Sequence, residues 1–563
     1  MSLKQEPELG KNFWLAMLLS MLVLIGYPYF MARFAPKPMV PPAGQDARPS
    51  AEIPALPNSP AMNAAPGASP YAPAEQAAQL VPAQAPQFFD YESPNYKIRF
   101  SSRGGTVLYL EQRGKTGPQA HRTVFFSRED NSAGTLGIRL AHEPADLINT
   151  VFEMKTPEPG ANRVEFVYEK PAEYRLTKTF ILSREAPVIH VEVAVENLSP
   201  YEKHYPLELA YNMDYDPDAK ADLRFNEAIA AGEKIETAKA DKIVKKGFFA
   251  VKPALWAGLA KKYYILAVRP EWKIVAVEAR GMSGEATMNG LLRMEPLTLA
   301  AGERQTRKFL VYAGPQHYES LKQTGAGFEA YFSRGFLGVF KVWLLLALKF
   351  LYGYVLNYGW SIIILTVLIK ILFAPITHIS FESQRKMQAI QPKMKSLQER
   401  YKGNAEKLHK ETMALFKRNR VNPMAGCLPM LIQMPVLIAM YQLLSEAIEL
   451  QGAPFLGWMH DLSRPDHLFT LPFTIPVLGW ETFNLLPFIM IGSQYGFQKI
   501  MPQPSSSPDQ AMVFKFMPLM FGFICYNMPS GLVLYWSLQN VLSIAHHLFV
   551  SRVPVILHHE DKD

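Results

Sequence analysis

The chain has 563 residues, enough for more than one domain. Its formal charge is +8, yet only 19% of its residues are charged, below the roughly 25% of an ordinary soluble domain. Two cysteines exclude a disulfide-rich scaffold and any four-cysteine metal site; both, Cys427 and Cys525, fall in apolar segments and read as buried, inert thiols.

Residues 1–34 carry an apolar run, 12–31, long enough to cross a bilayer. No small-residue cleavage site follows it, so an uncleaved signal anchor is expected rather than a cleaved signal peptide. No cysteine follows it either, which excludes a lipoprotein. Residues 35–87 hold 13 Pro and 15 Ala and cannot bury a core, so they read as a semi-extended tether. From 88 to 315 the pattern changes to period two, in Tyr96-Lys-Ile-Arg-Phe, Thr106-Val-Leu-Tyr-Leu, Arg163-Val-Glu-Phe-Val-Tyr, Val188-Ile-His-Val-Glu-Val-Ala-Val and Lys308-Phe-Leu-Val-Tyr. Such alternation marks half-buried strands, and many short ones imply a β-sandwich. Nothing there has the spacing of a catalytic site, and His190 reads as an ordinary sheet residue.

Residues 316–357 include an apolar stretch, 334–356, interrupted by Lys341 and Lys349. It either spans the membrane or lies in the interface. Spanning would carry the basic stretch that follows to the outside, against the cytoplasmic preference of short Lys/Arg-rich loops. An interfacial helix ending at the Asn357-Tyr-Gly turn is therefore predicted. Residues 358–550 supply spans at 358–378, 422–446, 484–501, 513–527 and 531–550. Between the first two, residues 379–421 hold eleven basic and four acidic residues, a surplus that accounts for most of the +8. Arg385, Lys386, Lys393, Lys395, Arg400 and Lys402 lead this stretch. The spacing of Met387, Ile390, Met394, Leu397 and Tyr401 predicts an amphipathic helical hairpin. Aromatic residues are too sparse for a nucleic-acid platform, so the charge reads as a topology signal with lipid headgroup contact, and no DNA partner is expected. The 447–482 loop carries a net −3 and is expected outside. Counting the anchor, the chain reads as a polytopic α-helical membrane protein of six spans with both termini cytoplasmic, a short tail at 551–563, and a large all-β domain on the far side.

Lys370 lies near the middle of the 358–378 span. A charge at that depth costs roughly 2.5–3.5 kcal/mol on insertion scales, so it should face a hydrated cavity or a partner. Thr366 shares its helix face, one turn earlier. The other spans offer Gln433, Gln442, Ser493, Gln494, Gln498, Ser537, Gln539 and Asn540, each of which has interhelical hydrogen bonding as its ordinary role. No acid lies at mid-span; the nearest are Glu446 and Glu449, at a span end. A transporter or channel using Lys370 is one class of function open to such a chain, and an envelope or sugar-binding protein acting through the β domain is another. Neither paired carboxylates nor inverted repeats mark the spans as a transporter's. No nucleotide motif or metal cluster is present, so neither cofactor nor enzymatic activity is expected.

The later half carries an ordered set of longer motifs: Ser361-Ile-Ile-Ile through Pro375, Met387-Gln-Ala-Ile-Gln-Pro-Lys, Asn422-Pro-Met-Ala-Gly-Cys-Leu-Pro-Met-Leu-Ile-Gln-Met-Pro, and Pro529-Ser-Gly-Leu-Val-Leu-Tyr-Trp. Over about residues 335–550 the chain resembles the YidC/Oxa/Alb family of membrane protein insertases. Its anchor, tether and β-rich insert resemble the Gram-negative form, which carries a periplasmic β-supersandwich. The resemblance implies an inner-membrane protein with a five-helix core and a hydrophilic groove open to cytoplasm and lipid. It further implies nascent membrane proteins as substrates, with membrane lipids, the Sec translocon and the ribosome as candidate partners. Lys370 matches the family's basic groove residue, usually Arg. Thr366 matches a groove Thr, and Tyr535 and Trp536 match an aromatic pair that is usually Tyr-Tyr; Gln433 is counted with them as a groove residue. Lys keeps the charge of Arg but loses its bidentate fork, so planar recognition of a carboxylate is not expected. The basic hairpin is expected over the groove mouth, where it could receive substrate or touch the ribosome. The loop around 472–482 is longer than in the best-known members.

Overall fold

The computed structural model describes residues 85–551, apart from 114–121, 131, 142–145, 156–160, 185, 217–222, 247, 251–252, 282–285, 402, 420–427, 476–479 and 501–507. The expected anchor at 12–31, nearly all of the tether, Lys402, Cys427 and the tail from 552 lie outside the described residues.

The alternating segments form strands because each puts its apolar set on one side. In Tyr96–Ser101, Tyr96, Ile98 and Phe100 are buried while Lys97 is exposed. The strands assemble into antiparallel sheets of four, five and nine strands, with a two-stranded ribbon beside them. Near the middle of the largest sheet, Val188–Asn197 lies between Tyr174–Leu182 and Arg304–Pro315. The three sheets share one core: Phe100 of the four-stranded sheet meets Phe180 of the nine-stranded sheet at 5.0 Å, and Leu209 of the five-stranded sheet joins the same cluster. Each such side chain taken wholly from water contributes about 1.5–3 kcal/mol. Lys178 is the exception in this core. It is fully buried and donates to the carbonyls of Gly105 and Leu136, over the ring of Phe180. His190 sits on the exposed side of its strand.

Two short helices, Tyr318–Gln323 and Glu329–Phe332, lead from the β domain into a helical half. Its helices are α1 (Gly338–Val355), α2 (Tyr358–Arg400), α3 (Ala405–Arg418), α4 (Leu428–Glu446), α5 (Leu486–Ile500), α6 (Pro508–Cys525) and α7 (Ser530–Ser551). Leu356 ends α1 in the left-handed region at φ 53°, and the Asn357 side chain caps α2 by accepting from Trp360 N at 3.2 Å. The 43 residues of α2 run without a break through Pro375 and Pro392, joining the apolar segment to the first arm of the basic stretch. Helix α3 folds back on that arm and buries Met387, Ile390 and Phe416 between them. One apolar core joins α1, α2, α4 and α7 through Leu345, Leu348, Ile362, Leu365, Met440, Leu443 and Tyr535. Between α4 and α5 a two-stranded hairpin pairs Phe469–Ile475 with Trp480–Phe483. Among the described residues, Gly338–Val355 and Tyr358–His378 are long and apolar enough to cross a membrane.

Candidate functional site

Lys370 lies on α2 where it faces α7, and it is 8% exposed. Its Nζ donates to Ser543 Oγ at 2.7 Å and to Gln539 Oε1 at 3.4 Å. Both acceptors are neutral, so among the described residues the ammonium is hydrogen-bonded without a counter-ion. Gln539 is the hub of the site. Its Oε1 also accepts from Gln433 Nε2 of α4 at 3.3 Å, and its Nε2 donates to Tyr535 OH at 3.3 Å. Residues 535, 539 and 543 recur every four positions, so they fall on one face of α7 and turn together toward α2 and α4. Thr366 is fully buried one turn from Lys370, but its Oγ1 donates to the Ile362 carbonyl on its own helix. The structure thus brings Lys370, Gln433 and Tyr535 into one polar network, with Thr366 beside it.

Trp536 is not part of that network. It points to the other side of α7, against Phe521 of α6 at 5.3 Å and the cluster around Met459, Leu486 and Met490. Adjacent helix positions lie about 100° apart, so Tyr535 and Trp536 cannot share a face. Gln539 and Ser543 were absent from the groove set drawn from sequence; their four-residue spacing from Tyr535 was the signal that could have found them. Two turns beyond Lys370 on α2, His378 stacks on His546 of α7 with ring centroids 6.2 Å apart, and Phe381 packs edge-on against His546 and His547.

In the basic stretch, Lys393, Lys395 and Arg400 are exposed, and Arg385 and Lys386 are half-buried. Lys386 pairs with Glu382 at 2.8 Å. Both lysines of α1 have acidic neighbours. Lys341 of α1, 2% exposed, meets Glu446 of α4 at 3.0 Å and lies over the Phe332 ring. Lys349 donates to Glu319 at 2.7 Å and sits 3.1 Å from His317 Nε2. His317 in turn lies 3.5 Å from Glu449 Oε1. Burial pushes the Glu449 carboxyl up to about 7, offset in part by a backbone hydrogen bond and by Lys349. His317, Glu319 and Glu449 present ligand atoms within 4.8 Å of one another, with the Lys349 ammonium in contact with the first two. Arg334 extends this joint to the β domain, 2.6 Å from Glu227.

A large antiparallel β domain joined to a helical half with two apolar helices of membrane length fits the class of membrane proteins that carry a large domain outside the bilayer. The comparisons with known proteins agree. Residues 90–347 match the family model of the YidC periplasmic domain, and residues 350–556 match that of the 60Kd inner membrane protein. The membrane protein insertase YidC of Geobacter sulfurreducens is 31% identical over 471 residues, covering 82% of this chain and 85% of its own. That of Syntrophus aciditrophicus is 30% identical over 562 residues, covering 97% of this chain and 100% of its own. An active YidC insertase crystal structure with the first transmembrane domain resolved overlaps 81% of this chain and 91% of its own, at 17% identity and a TM-score of 0.35. The chain belongs to the YidC family of membrane protein insertases.

Proposed function

We propose that this chain takes nascent transmembrane segments from the cytoplasm through a hydrophilic groove into the lipid bilayer and assists their folding, alone or with the Sec translocon. The observation that carries this reading is Lys370, a buried cation whose partners are a hydroxyl and an amide oxygen. A substrate flank bearing Asp or Glu supplies the opposite charge that the site lacks. The polar network of Gln433, Tyr535, Gln539 and Ser543 shortens the apolar path for that flank. The apolar segment behind it then moves into lipid, favoured by roughly 0.8 kcal/mol per CH₂ removed from water. The family membership that disfavours a transporter rests on the whole chain, not on this site alone.

In this reading the chain has six spans, the anchor and α2, α4, α5, α6 and α7, with both termini cytoplasmic and residues 88–315 in the periplasm. Helix α1 lies in the outer interface. Support for that placement comes from its two lysines, which both reach the end of α4: Lys341 pairs with Glu446, and Lys349 stands beside the cluster that holds Glu449. Acids three residues apart cannot mark opposite faces of a bilayer about 30 Å thick. Opposite these lysines, Val339, Trp343, Leu346, Phe350 and Tyr354 form an exposed apolar stripe suited to lipid. The α2–α3 hairpin stands in the cytoplasm, where its exposed Lys393, Lys395 and Arg400 could receive substrate or meet ribosomal RNA.

Photo-crosslinking tests the groove. With a photoreactive residue at position 366, 370, 433 or 536, stalled nascent chains should crosslink from 370 and 433 and weakly from 536. Strong crosslinks from 536 with none from 370 would place the substrate path on the other side of α7.

A further inference from the structure

We propose that the hairpin Phe469–Ile475/Trp480–Phe483 is a second membrane-binding element, seated at the headgroup level of the outer leaflet, with phospholipid as its partner. The proposal rests on the reading that α4 and α5 cross the bilayer with the segment between them outside. Between Leu468 and Phe483 the only charged side chain is that of Glu481. Leu468, Phe469 and Phe473 are 40%, 49% and 64% exposed. A two-stranded ribbon is at best marginally stable in water, and a largely apolar one with free edges invites aggregation. Yet among the described residues these side chains stay largely exposed.

Its position identifies what covers it. Trp480 stacks on Tyr526 at 3.5 Å and on Phe523 of α6 at 5.6 Å. Phe483 stacks on Phe469 at 5.1 Å and on Phe488 of α5 at 5.3 Å. Phe488, Ile489, Phe523 and Ile524, at the outer ends of α5 and α6, are themselves exposed. The apolar surface of the hairpin therefore continues the surface by which those two helices meet lipid. The ladder fixes its depth. Pairing breaks between Thr470 and Ile475, around Pro472, and among the described residues the ribbon has two strands, so both outer edges are without a third strand. The N–H and C=O groups of such an edge cannot enter hydrocarbon, but at headgroup level water serves them while aromatic side chains reach the acyl boundary.

A spin label measures this directly. With Cys427 and Cys525 replaced, Phe473→Cys is labelled and the chain is reconstituted in liposomes of phosphatidylethanolamine and phosphatidylglycerol; labelled Arg464→Cys in the same loop, 76% exposed at its side chain, serves as the aqueous reference. The ratio of oxygen to nickel-chelate collisions is expected to be several-fold higher at 473 than at 464. Equal ratios would overturn the proposal. So would a label that is aqueous in liposomes but immobilised in native membranes, which would assign the surface to a protein partner instead. Because no substrate is present, the result stands apart from insertion activity: loss of insertion with the label still at lipid depth would count against the insertase reading alone.

Discussion

At the scale of single residues, two buried ionisable groups matter most. Lys370 is held by neutral acceptors on α7, whereas Glu449 sits in a cluster of charged side chains and is pushed toward its neutral form by burial. For Glu449 the pH dependence follows from the direction of that shift. Its folded value of about 7 exceeds its ordinary 4.5, so between those values the folded chain holds a proton that the unfolded chain has released. Stability contributed at the joint therefore falls as pH rises through that window and levels off above it, by about 3 kcal/mol at most. Hydrogen–deuterium exchange of residues 317–323 and 448–450 should show protection declining from pH 5 to pH 8. Glu449→Gln should remove the decline; an unchanged decline in that variant would assign it to other groups. Lys370 was legible in the sequence because a charge inside an apolar run has few harmless explanations. Its partners were not, because Gln539 and Ser543 reach it only through the particular way α2 meets α7. The family resemblance pairs Trp536 with Tyr535, but one helical step of rotation turns Trp536 to Phe521 while Tyr535 meets Gln539.

At the scale of elements, α1 shows what charge placement does to an apolar helix. By length and apolarity it could cross a membrane, yet its lysines are tied to acids at one end of α4 and beside it. The Lys341–Glu446 pair is largely buried, so removing one partner leaves the other desolvated and uncompensated. Lys341→Met should destabilise the docking of α1 on α4 by about 3–5 kcal/mol, seen as faster proteolysis near residue 338, and Lys341→Met with Glu446→Leu should recover most of it. A double variant as labile as the single one would mean that packing, not the ion pair, holds α1. Strands were legible at this scale because period-two alternation is local: Tyr96–Ser101, Arg163–Lys170 and Val188–Asn197 all stand where the pattern put them. The length of α2 was not. The change from apolar to basic composition after 378 marks a division that the backbone does not make.

At the scale of the whole molecule, two halves of unlike composition meet through a short set of polar links. Arg334 reaches Glu227, and Tyr263 of the β domain donates to the Ser463 carbonyl in the loop after α4 at 3.4 Å. The net charge of the chain resides mainly in the α2–α3 hairpin, while the charge assigned to substrate recognition is the single Lys370. Reconstituted liposomes can separate these roles. Insertion of a small single-span protein with acidic residues in its translocated flank should fall at least about tenfold in Lys370→Ala, equivalent to about 1.4 kcal/mol, and recover in Lys370→Arg. The same substrate with a neutral flank should insert nearly as well into Lys370→Ala as into the parent. Equal insertion of both substrates by Lys370→Ala and the parent would contradict an electrostatic step at Lys370.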